Sequence, residues 1–285
     1  MTAARTAYET LEPFHVLAYF NPGVGEAAAD TGLDPHAFYV GARGAPLGDC
    51  AAAVVTSAFY NFSPQLIDGA WARARAAGLG TVAQRRYRML DEQLRAILGE
   101  RADSDEIAEL ATGFGALADG IPLGGRPLAA GWAAAPIPDE PLPALWNRIA
   151  VLREWRGDNH ITLLVQHGID GIEASVFHEA EHPDPSIRRR LMGRRMTLLT
   201  RGWQESDWEA AIDRLAARSL VERTGDGHRL TAEGAALYDD IEAATDALTE
   251  PVWSAPEAGE LVSRMRPYVK AVIDAGVLPG TRKKD

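Results

Sequence analysis

Apolar residues recur at helical spacing along most of this chain, and the pattern is sharpest from Gly202 to Leu248. There Trp208, Ile212 and Leu215 form one apolar stripe. Ser206 stands where an N-cap is expected, and Asp207 and Glu209 fall in the first turn, which favours acids. Leu220–Arg223 is a short extended run, Thr224–Gly227 reads as a turn, and His228–Thr231 returns. Leu237, Ile241 and Leu248 then share one face of a closing helix. Helix, two-stranded wing and helix together predict the end of a winged helix.

Upstream the same periodicity predicts further helices. Residues 5–20 carry Tyr8, Leu11 or Glu12, His15 and Tyr19 near one face, with Pro13 marking a first turn or a kink. Residues 21–35 are rich in Gly, Asp and Pro and read as a loop. Residues 38–47 (FYVGARGAPL) are either a glycine-loosened helix or a turn that brings backbone close to a neighbour. Ser63-Pro64 restarts a helix, with Ser63 as N-cap. Leu90, Leu94 and Ile97 mark one core face, and Ile107, Leu110, Phe114 and Leu117 mark the next. After a Gly/Pro-rich stretch, Leu145, Ile149 and Leu152 lead into REWRGDNH at 153–160. Gly168 ends that helix and Asp170 caps the following one, Gly171–Ala180. Residues 186–200 read as a basic helix with Arg188, Arg189, Arg190, Arg194 and Arg195, and 256–276 as a helix kinked by Pro267. The expected fold is mainly α. A helical domain (1–120, with a degenerate winged helix as the alternative) is followed by a linker at 121–143, a winged-helix domain with a two-stranded wing at 144–276, and a tail at 277–285.

Composition narrows the setting. Hydrophobic residues make up 46% and charged residues 24%, the balance of a globular chain. No apolar run approaches the roughly 20 residues of a membrane span, and no basic leader precedes an apolar core. Cys50 is the single cysteine, so no internal disulfide forms and a cytoplasmic location without membrane partners is expected. Charge changes the picture more. The net charge is −11 and only three lysines occur, Lys270, Lys283 and Lys284. The expected recognition helix, 205–220, carries Glu205, Asp207, Glu209 and Asp213 against Arg214 and Arg218. Over residues 202–246 four arginines face eleven acidic residues, which disfavours DNA as a partner.

Candidate chemistry gathers at REWRGDNH. On a continuous helix Arg156 and His160 share a face, as do Glu154 and Asp158, and Gly157 would let a ligand approach the backbone. Arginine anchors a carboxylate or phosphate, and histidine moves a proton near neutral pH. The alternative is a break at Gly157-Asp158, with Asp158 capping the next helix and His160 a hydrogen-bonded core residue. Phe14, Tyr19, Phe20, Phe59, Tyr60 and Phe62 read as core, or, mixed with His15, Arg43 and Asn61, as the lining of a cavity for a flat organic ligand. His178 and His182, with Glu179 and Glu181, have ligand spacing but run into Pro183 and Pro185; no CxxC or HExxH pattern occurs, and no metal is expected. No P-loop, dinucleotide fingerprint or nucleophile elbow is present, so no cofactor is expected.

RLAARSLVER followed by LTAEGAAL resembles MarR-type regulators. LEPFHVLAYF, YVGARGAPLGDCAAAVVTSAFYNFSPQLI, LREWRGDNHI and the GW…DW…LTAEG…IEAATD ending together resemble a group of actinobacterial two-domain helical proteins with a MarR-like winged-helix C-terminal half. The resemblance covers nearly the whole chain. It implies that the phrases around His15, Arg43, Asn61, Arg156 and His160 go together, and it supplies no catalytic role. The first expectation is therefore a winged-helix scaffold diverted from DNA to a small molecule of specialised metabolism. It binds that molecule or transforms it without a cofactor, with His160 as general acid/base and Arg156 binding an anionic group. His15, Tyr19, Arg43, Phe59, Asn61, Glu154 and Asp158 are the expected ligand contacts. The second is a dimeric, ligand-responsive MarR-like regulator whose arginines in 188–201 contact phosphates.

Overall fold

Thr2 opens the first helix by accepting the backbone N–H of Arg5 on its side chain, which satisfies one of the donors a helix start leaves unpaired. The computed structural model describes residues 1–187, 191–225 and 227–281; over these the chain is mainly helical with one two-stranded antiparallel sheet. In order the helices are α1 (Ala3–Phe20), α2 (Val24–Asp30), α3 (Pro35–Gly44), α4 (Ala52–Phe59), α5 (Pro64–Ala77), α6 (Leu79–Leu98), α7 (Asp105–Asp119), α8 (Pro127–Ala134) and α9 (Pro141–Gln166). Then come α10 (Gly171–Glu179), α11 (Arg194–Arg201), α12 (Glu205–Ala217), the strands β1 (Val221–Thr224) and β2 (Gly227–Leu230), α13 (Ala232–Trp253) and α14 (Pro256–Asp274). Two compact units emerge. The first comprises Met1–Cys50, Ala70–Asn159 and Asp246–Asp285; the second comprises Ala51–Gly69 and His160–Thr245.

In the first unit α1 lies along α14, α14 also packs on α7, and α2 and α3 pack on α6. Residues 38–47 take the helical alternative. A Cβ on Gly41 would come within 2.6 Å of the Ala74 Cβ, and one on Gly44 within 2.9 Å of the Trp71 ring. The glycines thus serve close helix packing. Residues 21–35, expected as a loop, contain α2, whose Ala27 and Ala28 are buried in one cluster with Phe38, Val82 and Met89. Alanine supplies the packing face that a Gly/Asp-rich composition conceals. Residues 121–143 hold α8, with Leu128, Ala129 and Trp132 buried. Helix α9 runs unbroken through Gly157 and Asp158, so the helix-break alternative does not hold, and Leu145, Ile149 and Leu152 are its buried stripe. Pro13 and Pro267 both sit inside continuous helices, α1 and α14.

The second unit is built on Leu163, Ile172, Phe177, Trp208, Ile212, Leu215, Val221, Leu230 and Ile241, with Tyr60 and Trp203 packed against them. Asp170 and Glu173 form a capping box at the start of α10. Helix α12 is capped by Gln204 reciprocating with Asp207, not by Ser206, which lies inside it. The hairpin has the register Val221↔Leu230 to Thr224↔Gly227, and Glu181 adds a bridge to Arg229. Ile241 is buried as expected, but Leu248 is exposed and leaves the expected stripe. The basic helix expected over 186–200 begins only at Arg194, after Gly193 at φ +87°; Arg188, Arg189 and Arg190 lie outside the described residues.

Tyr60, itself at φ +52°, donates its hydroxyl to the Ile169 carbonyl, and its own carbonyl oxygen would lie 2.1 Å from a Cβ on Gly171. Gly171→Ala should therefore lower stability by about 1–3 kcal/mol through overpacking. Exposed Gly25 in α2 has open space around it, and Gly25→Ala should raise stability by about 0.5 kcal/mol. Urea midpoints of the two variants should move in opposite directions.

Candidate ligand-binding site

The first unit encloses a polar cluster around one tryptophan. Trp146, on the buried face of α9, donates its indole N–H to the His15 carbonyl (3.0 Å). The His15 ring stacks on the Trp146 ring (centroids 5.3 Å apart, 8° between planes), with Nε2 2.9 Å from the Tyr19 hydroxyl one turn on. Tyr19 in turn faces Glu154 Oε1 at 3.5 Å. Arg43 grips Glu154 with a two-pronged fork: Nε donates to Oε1 (2.9 Å) and Nη2 to Oε2 (2.8 Å). Arg43 Nη1 also reaches the Tyr39 hydroxyl at 3.4 Å. Beside this pair Arg153 donates to Glu12 (3.2 and 3.4 Å).

These groups titrate as a set. Burial alone would raise the Glu154 carboxyl, but the Arg43 guanidinium, with Arg153 behind it, holds it well below the usual range. Burial drives His15 down to about 3, helped by Arg153, so the ring is neutral at pH 7. Tyr19 is pushed well above its ordinary value by burial and by Glu154. Asp158 moves the other way from Glu154: burial lifts it to about 6, although its Oδ2 accepts the Ala129 N–H (2.9 Å) at the start of α8.

A cleft of about 660 Å³ opens beside the cluster, within the size range of small-molecule pockets. Ala83, Arg86 and Tyr87 of α6 line it with Trp132 of α8, Pro46, residues 136–140 and Pro143. Arg86 is 2% exposed, with its guanidinium carbon 4.6 Å from the Trp132 ring centroid and 4.8 Å from that of Trp146. Tyr87 meets Trp146 edge-on and accepts from Asn147 Nδ2 (3.0 Å).

Of the residues the sequence singled out, His15, Tyr19, Arg43 and Glu154 come together here. Asp158, in the same unit, is occupied with α8. Arg156, also in this unit, pairs with Asp246 (3.1 Å) and lies 4.1 Å from the Tyr8 ring centroid. His160 belongs to the second unit, where Nδ1 is 3.1 Å from the Thr245 hydroxyl and 3.7 Å from Glu242. Phe59 and Asn61 are in the second unit too: Phe59 packs edge-on against Phe62, and the Asn61 carbonyl accepts the Trp203 indole N–H (3.0 Å). Buried Phe14, Phe59 and Phe62 are core residues, whereas Phe20 is exposed. His178 tilts against the Tyr238 ring, and half-buried His182 accepts the Asp184 N–H. Arg86, Tyr87, Trp132 and Trp146 escaped the sequence reading. A signal existed for Arg86, which stands four residues after Val82 and four before Leu90, both fully buried. That is an arginine on an apolar stripe.

Helices leading into a short hairpin are a DNA-binding type of architecture, and comparison with protein families agrees. The chain belongs to a helix-turn-helix family, whose model matches residues 4–279, nearly the whole length. Comparison with the curated proteins and with the solved structures returns no match. Among the described residues no helix is long and apolar enough to cross a membrane.

Two measurements test the cluster. Arg43→Met should lower stability by about 3–5 kcal/mol, because it leaves the buried Glu154 unpaired, and Glu154→Gln in the same chain should recover part of that loss in a double-mutant cycle. For His15 the folded-state pKa is depressed, so below about 6.5 the unfolded chain takes up a proton that the folded chain refuses. Its stabilising effect is present at neutral pH and is lost as pH falls from about 6.5 towards 3. Asp158, raised by burial, acts in the opposite direction as pH falls from about 6 towards 4. The difference between wild type and His15→Gln isolates the histidine, and it should shrink by about 1.4 kcal/mol per pH unit below 6.5. Urea unfolding at pH 7, 6 and 5 reads it.

Proposed function

We propose that this chain is a small-molecule-binding protein on a MarR-like winged-helix scaffold diverted from reading DNA. A winged helix sets its recognition helix, the one before the wing, into the major groove with cations on the flanking phosphates. Helix α10, the bridge at Glu181, α11, α12 and the β1–β2 hairpin follow that order, which makes α12 the recognition helix.

The observation that carries the reading is how the arginines around α12 are employed. Arg194 pairs with Glu205 and with Glu209 (2.6 Å). Arg223, on the wing, reaches Glu209 (2.6 Å) and Asp213 (2.7 Å). Arg214 pairs with Glu173 (2.7 Å) and Asp170 (3.0 Å), Arg229 pairs with Glu222 (2.6 Å), and Arg218 donates to the carbonyls of His167 and Gly168. A phosphate would have to displace a carboxylate that stays on the same surface and repels it. Exposed Arg195 on α11 is the exception among the described residues.

Ligand handling then falls to the first unit. Four of its charged groups are tied to one another, Glu154 to Arg43 and Glu12 to Arg153, so none of these four is a poised proton donor. That favours binding over turnover. Titrating the protein onto a labelled mixed-sequence duplex at 50 and 200 mM salt tests the reading. Weak binding with a log–log salt slope of about −1 to −2 is expected. Tight sequence-dependent binding with a slope near −6 would overturn it in favour of a ligand-responsive regulator.

A further inference from the structure

Charge in the first unit's core does not balance. Arg43 and Arg153 answer Glu154 and Glu12. Arg85, next to Arg86 and also buried, answers Asp30 (2.6 Å) and Glu92 (3.5 Å). Arg86 has no such partner: among the described residues its guanidinium makes no hydrogen bond and no ion pair, and its Nε is sealed from solvent without an acceptor. Stripping an unpaired cation of water is among the most unfavourable things a fold can do. The faces of Trp132 and Trp146 offset part of that cost. They supply no acceptor for the five N–H groups of the fork. Burial pulls the Arg86 pKa downward, the direction expected of a cation short of a counter-charge.

This same side chain lines the 660 Å³ cleft. Resting on the reading of the first unit as a ligand-binding body, we infer that Arg86 is the anchor for an organic monocarboxylate whose flat apolar body lies in the cleft. A carboxylate matches the planar fork in a bidentate geometry. One charge suits the site better than two, since Asp91, which pairs with Arg95 (2.8 Å), Asp139 and Glu140 also line the cleft beside Arg86 and Arg88. An apolar body fits the remaining lining, which includes Leu79, Trp132, Ile137 and several prolines. A buried guanidinium whose Nε has no protein acceptor, on the wall of a cleft, is what calls for an anion.

The test uses the full chain, 1-naphthoate as the probe, and its neutral amide and its phosphate monoester analogue as controls. Calorimetric titration of wild type should show 1-naphthoate binding at least tenfold tighter than 1-naphthamide and tighter than 1-naphthyl phosphate. Arg86→Met should remove the preference for the acid while leaving the amide unchanged, and Arg86→Lys should keep part of it. Thermal unfolding of ligand-free Arg86→Met supplies a readout that needs no ligand. A variant that melts at or above the wild-type temperature fits a charge held for a ligand. A marked fall in melting temperature would make Arg86 a structural residue and overturn the inference. Equal binding of acid and amide to both proteins would keep the cleft as a small-molecule site and discard the anion. Preference for the phosphate would replace the carboxylate with a dianion. Absence of binding by all three probes, together with a destabilised Arg86→Met, would remove both the inference and the ligand-binding reading.

Discussion

Glu154 sets the terms for the first unit. A carboxylate at 1% exposure stays ionised only if its partner reaches it with both prongs, and Arg43 does so from α3. The separation and rotation of α3 relative to this part of α9 are therefore fixed to within a hydrogen bond. Gly41 and Gly44 belong to the same requirement, because they let α3 sink onto Ala74 and Trp71 while it carries Arg43 inward. Tyr19, His15 and Trp146 continue the network into α1 and the core. Such a network is worth little against an apolar core of equal volume, and its value lies in specifying one arrangement.

The polar residues of REWRGDNH are employed on this principle more than on chemistry. Asp158 holds the start of α8 through Ala129, and Asn159 accepts from Arg126 (2.9 Å) while donating to the Trp155 carbonyl. Trp155 sends its indole N–H to the Pro122 carbonyl (3.0 Å). One stretch of α9 thus pins residues 122–129, whose glycines and prolines give them little regular structure of their own. That fixes Trp132 three residues further on, and with it one wall of the cleft. The density of polar types inside an apolar helix marked an important segment. The importance is architectural first.

What could be read from the chain followed from range of interaction. Stripes such as Ile107–Leu110–Phe114, the Asp170 cap and the β1–β2 hairpin depend on neighbours within a few residues, and these were legible. Helices α2 and α8 were not, because alanine, glycine and proline carry weak propensity signals that tertiary packing overrides. The site was half legible. His15 and Tyr19 share a helix face, but that Arg43 meets Glu154, or Arg86 meets Trp132 and Trp146, depends on contacts more than 40 residues apart for which spacing gives no rule. His160 illustrates the reverse case. It lies four residues from Arg156 on one continuous helix, yet its contacts, Thr245 and Glu242, are in the other unit from those of Arg156.

Membership of a helix-turn-helix family says more about the fold of the chain than about what it touches. The acidic balance of 202–246 alone would not decide the matter, since carboxylates facing away from a duplex cost little. Pairing geometry is more telling. Arg223 leaves β1 to reach Glu209 and Asp213 on α12, and Arg194 comes from α11 to the same Glu209. The β1–β2 hairpin, α12 and α11 are thereby clasped by their own charges: Glu209 is lowered and Arg223 raised, each chiefly by hydrogen bonds to groups of opposite charge. These pairs are exposed, so each contributes little to stability. Their consequence is positional: Glu209 takes a cation from α11 and another from β1, so one carboxylate of α12 sets where both neighbours lie.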